Sequence, residues 1–316
     1  MAQDLFVGID VGGTSVKVGL VDADGNIIAK QSVPTPPLTD DAGYSAVIDG
    51  IASTVKQAGA ELSQLKGIGL DLPCPIPDEG LPAIVANMEL DLPGLKQALE
   101  AAYADSKIVL LNDANAAAMG EVWKGAAAGR KSMVMITIGT GVGGGIVIDG
   151  KVIGGFNGAA GELGHLTVNL SEERTCGCGR HGCLEQYASA TGVVSNYLRA
   201  CERAGVEPIE LDGPSDSRNV FQACREGDEL ALEAMSGMAS ALGYALANIT
   251  LTVDPEAIVI GGGASASADV FLEPLTQAYK KFALASCVDT PLVVASLGND
   301  AGLLGAAYSA ILATKE

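Results

Sequence analysis

The sequence predicts an α/β protein made of two related domains, and three observations carry that prediction. Two triplets of strand, glycine turn and strand occur, one at the N-terminus and one just past residue 130. After each triplet, helical stretches alternate with short apolar runs that read as buried strands. Glycine is in excess, 41 residues of 316, and it collects at the turns of these triplets instead of spreading evenly.

The elements run in order along the chain. Residues 5–11, 16–21 and 27–33 alternate or run apolar as strands do, with Gly12-Gly13 and Asp24-Gly25 as the turn signals between them. A short linker, 34–40, leads into helical periodicity over 41–60, then a strand near 68–70. A helix over 94–103, a buried strand over 107–111 and an alanine-rich helix over 113–123 complete the first set. Residues 133–138, 142–148 and 151–153 repeat the triplet. At a single offset, Asp10 falls opposite Thr137, Gly12 opposite Gly139 and Asp22 opposite Asp149, a weak internal duplication. Residues 157–185 form an insertion rich in glycine and cysteine. Amphipathic helices come next at 191–204 and 219–226. A long one over 229–252 has Ala231, Met235, Met238, Leu242, Ala245 and Ile249 on the face expected to enter the core. A buried strand at 257–260 ends in Gly261-Gly262-Gly263, a strand lies at 292–295, and a helix spans 301–314. The expected division is a small domain of 1–112 plus 301–316 and a large domain of 113–300, with a cleft between them.

Composition excludes several functions. About half the residues are apolar (48%) and 18% are charged, which marks a globular chain. The formal charge of −19 repels phosphate backbones, so no nucleic-acid partner is expected. The first residues carry no basic signal region, and no apolar run approaches the ~18 residues of a span, so no membrane partner and a cytoplasmic location are expected. Seven cysteines are an odd number for a disulfide framework. Cys74, Cys201, Cys224 and Cys287 read as small buried hydrophobes. Cys176, Cys178 and Cys183 cluster beside His165 and His181, the only histidines. Three thiolates and an imidazole fill the closed tetrahedral shell of structural Zn²⁺; a redox loop is the alternative.

Five further patterns bear chemistry. Asp10-Val-Gly12-Gly13-Thr14-Ser-Val-Lys17 joins a strand to a strand through glycines whose N–H groups can form an anion nest, with Asp10 placed to hold a divalent cation through water. It is neither a P-loop nor a dinucleotide fingerprint, because a strand comes after the glycines where a helix should. Gly139-Thr140-Gly141-Val-Gly143-Gly144-Gly145 is the second such hairpin, and the two could clamp a polyphosphate. Gly261, Gly262 and Gly263 suit the floor of a nucleotide site. Asn112-Asp113-Ala-Asn115 lies between strand and helix, where α/β clefts form, and offers amides for sugar hydroxyls; a plain N-cap role for Asp113 is the alternative. Glu162, His165 and Glu185 add carboxylates and an imidazole in a glycine-bound loop.

Taken together, DVGGT at 10–14, NDAN at 112–115, GTGVGGG at 139–145, GELGH at 161–165 and CGCGRHGCLE at 176–185 resemble the ROK family of sugar kinases over nearly the whole chain. The resemblance implies the actin-like ATPase (ribonuclease H-like) fold shared with hexokinases, and a homodimer. It implies ATP-dependent phosphorylation of a hexose, glucose above all, at the 6-hydroxyl. N-acetylmannosamine, N-acetylglucosamine, mannose or fructose are the alternative acceptors, polyphosphate an alternative donor, and a non-catalytic sugar sensor a rival reading. By the same resemblance, Asp113 is the general base. Asn87, Asn112, Glu162, His165 and Glu185 hold the sugar. His165, Cys176, Cys178 and Cys183 bind zinc, with His181 outside the set. ATP and Mg²⁺ fall to Asp10, the two hairpins with Lys17, and Gly261–Gly263. A sugar-responsive repressor of the family carries a winged-helix domain before the first strand, for which the four residues ahead of Leu5 leave no room. The sequence departs from the family pattern at Asp71-Leu-Pro73-Cys74-Pro75, where a Gly-Pro-Gly-type loop is usual, and lacks a Trp soon after Asn87. Both places bear on the sugar.

Overall fold

The computed structural model describes residues 3–76 and 89–315. The chain forms two compact units: 1–131 with 145–161 and 296–316, and 132–144 with 162–295.

In the first unit, β1 (Leu5–Val11), β2 (Ser15–Asp22) and β3 (Ile27–Pro34) form an antiparallel meander. β4 (Leu65–Leu72) and β5 (Lys107–Asn112) extend it in parallel, giving the order β3-β2-β1-β4-β5. The helices α1 (Asp41–Gln57) and α2 (Leu92–Ala102) cover one face, where Val7, Ile9, Val18, Val47, Ile51 and Leu95 bury their side chains. Each helix starts at an aspartate N-cap, Asp40 and Asp91, whose carboxylate accepts N–H bonds of the first turn. The other face takes α9 (Ala301–Ala313), which itself packs on α3 (Asp113–Lys124). That approach is unusually close. A Cβ on Gly8 would stand 1.9 Å from the Leu303 carbonyl oxygen, and one on Gly69 would stand 1.8 Å from that of Ala306. A Cβ on Gly305 would likewise lie 1.6 Å from the Ala116 carbonyl oxygen. The glycines that look like strand breakers in β1 and β4 are therefore what lets α9 lie on the sheet.

The second sheet holds β6 (Met133–Ile138), β7 (Val142–Ile148), β8 (Lys151–Val152), β9 (Ile258–Gly261) and β10 (Leu292–Val294) in the order β10-β9-β6-β7-β8. Read from the meander end, both sheets run third, second, first, fourth, fifth strand, so the weak sequence duplication has a structural counterpart. Asp149 (φ 51°) and Gly150 (φ 77°) make the two-residue β7–β8 turn with both φ positive, which suits Asp-Gly. The second unit carries the helices α4 (Glu185–Ala188), α5 (Ala190–Ala204), α6 (Ser217–Glu226), α7 (Glu229–Val253) and α8 (Ala268–Phe282). The six α7 residues expected in the core are all buried. α7 has the length and mean hydropathy, 1.3, of a membrane span, yet 56% of that stretch is buried within the protein, as in a core helix.

Two features differ from the sequence expectation. Residues 113–131, 145–161 and 296–300 fall in the first unit rather than with 113–300; for the helix over 113–124, Gly120 and Gly305 let α3 and α9 pack backbone to backbone. α8 has no counterpart among the expected elements; Pro274 lies inside it, a residue that ordinarily ends a helix.

Candidate active site

In the first unit, the β1–β2 hairpin sets Asp10 directly opposite Lys17, and Lys17 Nζ donates to Asp10 Oδ2 at 2.7 Å. Lys17 also reaches the Asn299 carbonyl at 3.4 Å. The lysine expected at the phosphates is thus held on the carboxylate. The turn itself is closed by the Gly12 N–H on the Ser15 carbonyl, 3.0 Å, and by the Thr35 hydroxyl donating to the Gly12 carbonyl, 2.5 Å. The Gly12 N–H is therefore spent within the chain and is not one that an anion could use. Neither Gly12 nor Gly13 has a positive φ. Glycine serves Gly13 through space instead: a Cβ there would meet nothing within 4 Å.

Asp113 is the first residue of α3, but the N-cap is Asn112. Asn112 Oδ1 accepts from the N–H groups of Ala114 (3.0 Å) and Asn115 (3.2 Å), while Asn112 Nδ2 donates to the Cys74 carbonyl at 3.3 Å. Asp113 Oδ1 accepts from Ala114 N–H at 2.8 Å. Both side chains thus take part in the start of α3, which places Asp113 at the carboxyl end of β5.

Sequence reasoning noted Asp71 only as a departure from a pattern. It pairs in parallel register with Asp10, and it is fully buried. Neither Oδ1 nor Oδ2 has a hydrogen-bond partner among the described residues. Burial, then the like charges of Asp10 and Asp113, hold its carboxyl well above the usual carboxylate range, with Lys17 opposing. The one signal in the sequence was a carboxylate inside an apolar strand. Asp10 together with these orphaned oxygens is a hard, anionic donor set of the kind Mg²⁺ takes.

In the second unit, the β6–β7 hairpin is closed over a shorter span: Gly139 N–H donates to the Gly141 carbonyl at 2.9 Å. The start of α5 grips it, with Ala190 N–H on the Gly139 carbonyl (2.8 Å) and the Thr191 hydroxyl on the Thr140 carbonyl (2.9 Å). Glu185 Oε2 accepts from Val142 N–H at 3.1 Å, and a Cβ on Gly141 would stand 2.3 Å from that oxygen. Gly141 is there to let the carboxylate in. At the end of β9, Gly262 has φ 82° and sits against Ile138, where a Cβ would be 2.5 Å from backbone nitrogen and oxygen. Gly261 ends the strand, and Gly263 faces open space.

The cysteine loop gathers His165, Cys176, Cys178 and Cys183, whose donor atoms all lie within 4.8 Å of one another. Cys178 Sγ and Cys183 Sγ are 3.7 Å apart, and Cys176 Sγ is 3.9 Å from His165 Nδ1. A tetrahedron with metal–sulfur bonds of about 2.3 Å needs sulfurs roughly 3.7 Å apart, so this set fits Zn²⁺. His165 turns Nδ1 to the sulfurs and Nε2 toward Glu162 Oε2, 3.9 Å away. His181 is exposed and its Nδ1 lies 3.1 Å from the Arg174 carbonyl, outside the set. The other cysteines, Cys74, Cys201, Cys224 and Cys287, are buried free thiols. Burial pushes Cys74 and Cys224 up to about 11.

Two supporting groups escaped sequence reasoning. Glu172 is clamped by Arg174 Nη2 (2.7 Å) and the Tyr187 hydroxyl (2.6 Å), tying the loop to α4. Glu121, fully buried, accepts from the N–H groups of Ala126, Ser296 and Leu297. Asn87 lies outside the described residues.

A family model described as "ROK family" matches residues 6–313. The chain is 38% identical to a glucokinase of Halalkalibacterium halodurans, an alignment covering 98% of this chain and 95% of the relative. Its fold superposes on the crystal structure of a ROK hexokinase from Thermus thermophilus with a TM-score of 0.84 at 34% identity, covering 98% of this chain and 99% of the other. A ROK family glucokinase from Streptomyces griseus, solved in complex with glucose and AMPPNP, gives a TM-score of 0.76 at 31% identity, covering 98% and 99%. The two sheets are those of the actin-like ATPase fold.

Proposed function

The chain belongs to the ROK family, and we propose that it phosphorylates glucose from ATP at the 6-hydroxyl, with Asp113 as general base. It is a hexose kinase. The observation that supports the assignment of the base is the placement of Asp113: it is the first residue of α3, directly after the carboxyl end of β5, with Asn112 as the N-cap beside it.

The chemistry is a transfer in which positioning and charge do most of the work. Asp113 takes the proton of the sugar hydroxyl as its oxygen attacks the γ-phosphorus, a contribution of roughly 10²–10⁴-fold. Asn112, Glu162, His165, Glu185 and Asn87 orient the sugar. The Glu185 carboxylate is already fixed by Val142 N–H, and zinc on Nδ1 of His165 leaves Nε2 as its sugar-facing nitrogen. The amides of Gly13, Thr14, Thr140 and Gly141 donate to phosphate oxygens, and Lys17 with Asp10 sets the charge beside them. Gly261, Gly262 and Gly263 leave room for the nucleoside. Magnesium, when bound, supplies positive charge to the phosphates, and Asp10 would hold it. Zinc, when bound, supplies rigidity to the loop of His165, Cys176, Cys178 and Cys183. Location in the cytoplasm accords with dependence on ATP, and the resemblance implies a homodimer.

A coupled ATPase assay over a panel of hexoses tests the reading. Turnover should rise most with glucose; a larger response to N-acetylmannosamine, N-acetylglucosamine or fructose would overturn the acceptor. Metal analysis should find about one zinc per chain, and full activity in a zinc-free preparation would remove the ordered loop.

A further inference from the structure

We infer that Asp71 is a second carboxylate of the magnesium site: with Asp10 it accepts hydrogen bonds from the water shell of the divalent cation that accompanies the nucleotide. This rests on the phosphoryl-transfer reading above.

The first ground is that Asp71 is fully buried in the sheet of the first unit, with both oxygens orphaned among the described residues. A buried charge with no partner is costly to keep, and a native orphan of this kind calls for a missing water or ion. The second ground is convergence. Asp10 and Asp71 pair across β1 and β4 at the carboxyl ends of these parallel strands, where this class of sheet receives ligands. Both carboxylates approach the first turn of α9 at Gly302. The point that a Cβ at Gly302 would occupy lies 2.9 Å from Asp71 Oδ2 and 3.6 Å from Asp10 Cγ. Any larger residue there would fill the space between them. The third ground is charge balance. Lys17 neutralises Asp10 at 2.7 Å, and Asp113 adds a further negative group, so Asp71 has no cation of its own. Mg²⁺ usually takes one or two protein carboxylates and keeps several waters, a shell that one direct or water-linked aspartate and a second behind it can hold. Asp71 is on this view a positioning residue: it acts on the phosphates through the hydrated cation.

The experiment titrates Mn²⁺ into the full-length protein with ADP and without sugar, read by electron paramagnetic resonance, for wild type, Asp71→Asn and Asp71→Gly. Both variants should bind Mn²⁺ at least tenfold more weakly. In the kinase assay their half-saturating Mg²⁺ should rise by the same factor, with KM for glucose within twofold of wild type. Their metal-free melting temperatures should stay level or rise, because an unpartnered buried carboxylate is removed. Mn²⁺ affinity within twofold of wild type in either folded variant overturns the proposal. So does failure of both variants to fold, which would make Asp71 a structural residue. The metal titration contains no sugar, so a wild type that phosphorylates no hexose, yet whose variants lose Mn²⁺, would sink the acceptor reading alone.

Discussion

The two glycine hairpins stand on sheets of the same strand order, yet they hold charge in opposite ways. The first is anionic: Asp10 pairs with Lys17 across the hairpin, and Asp71 sits buried beside it. The second is neutral, its loop fixed by backbone bonds from Gly139, Ala190 and Thr191, and its one carboxylate, Glu185, is turned onto a backbone N–H. Duplicating the scaffold fixed where a ligand can be held, at strand ends. It did not fix the side chains set around those ends, which come from elements later in each unit: Asp113 on α3 in one, the cysteine loop and α4 in the other. An acidic first hairpin suits a cation, and a neutral, N–H-rich second one suits an anion.

The sharpest way to break this division is Asp113→Asn. If the proton acceptor belongs to the first unit, kcat should fall by roughly 10²–10⁴-fold with glucose affinity unchanged, since Glu162 and Glu185 cannot replace it. Stopped-time product assays and calorimetric glucose binding on the same preparation would check it. A variant retaining more than a tenth of wild-type kcat would take the base away from Asp113.

How much of this was legible before the structure depends on whether the cause was local. The meander strands and their turns were legible, because alternation and glycine placement act between near neighbours; 133–138 and 142–148 match β6 and β7 residue for residue. The gathering of His165, Cys176, Cys178 and Cys183 was legible for the same reason, three cysteines within eight residues. β4, by contrast, runs over Leu65–Leu72, longer than 68–70, because Gly67 and Gly69 look like breakers until α9, more than two hundred residues later, is laid against them. Asp71 owes its burial to the same distant helix, and no spacing rule shows that. α8 was hidden by Pro274. Pairwise groups such as Glu121 with the Ser296 and Leu297 amides have no sequence signature at all.

A smaller effect separates the hairpins by making one substitution in both. Gly13→Ala adds a methyl group where nothing lies within 4 Å, so it leaves the fold alone and intrudes on the ligand. Gly141→Ala drives the methyl group into Glu185 Oε2, 2.3 Å away, and must displace that carboxylate. The expected result is an ATP KM raised about tenfold by the first, with glucose KM steady, and a glucose KM raised about tenfold by the second, each tenfold being about 1.4 kcal/mol. Equal effects of Gly141→Ala on both substrates would show that Glu185 does not serve the sugar in particular.

The smallest effect is on stability and lies in the second unit alone. Hydrogen bonds from Arg174, with help from Tyr187, hold the Glu172 carboxyl far below the usual carboxylate range in spite of its burial. Because the folded value is depressed, the stabilisation is fully present above the unfolded value of about 4.3 and is lost progressively as pH falls from there through the folded value. Side-chain exposure of 7% for Glu172 and 29% for Arg174 leaves solvent some screening, so the pair should be worth about 1 kcal/mol. Glu172→Gln should therefore melt a few degrees below wild type above pH 5, and the gap should narrow progressively as pH falls from about 5 to 3. Low pH also protonates the cluster of His165, Cys176, Cys178 and Cys183, but it does so in both proteins, so the difference between their melting curves isolates Glu172. A gap that stays constant across that range would mean that Glu172 contributes by packing rather than by charge.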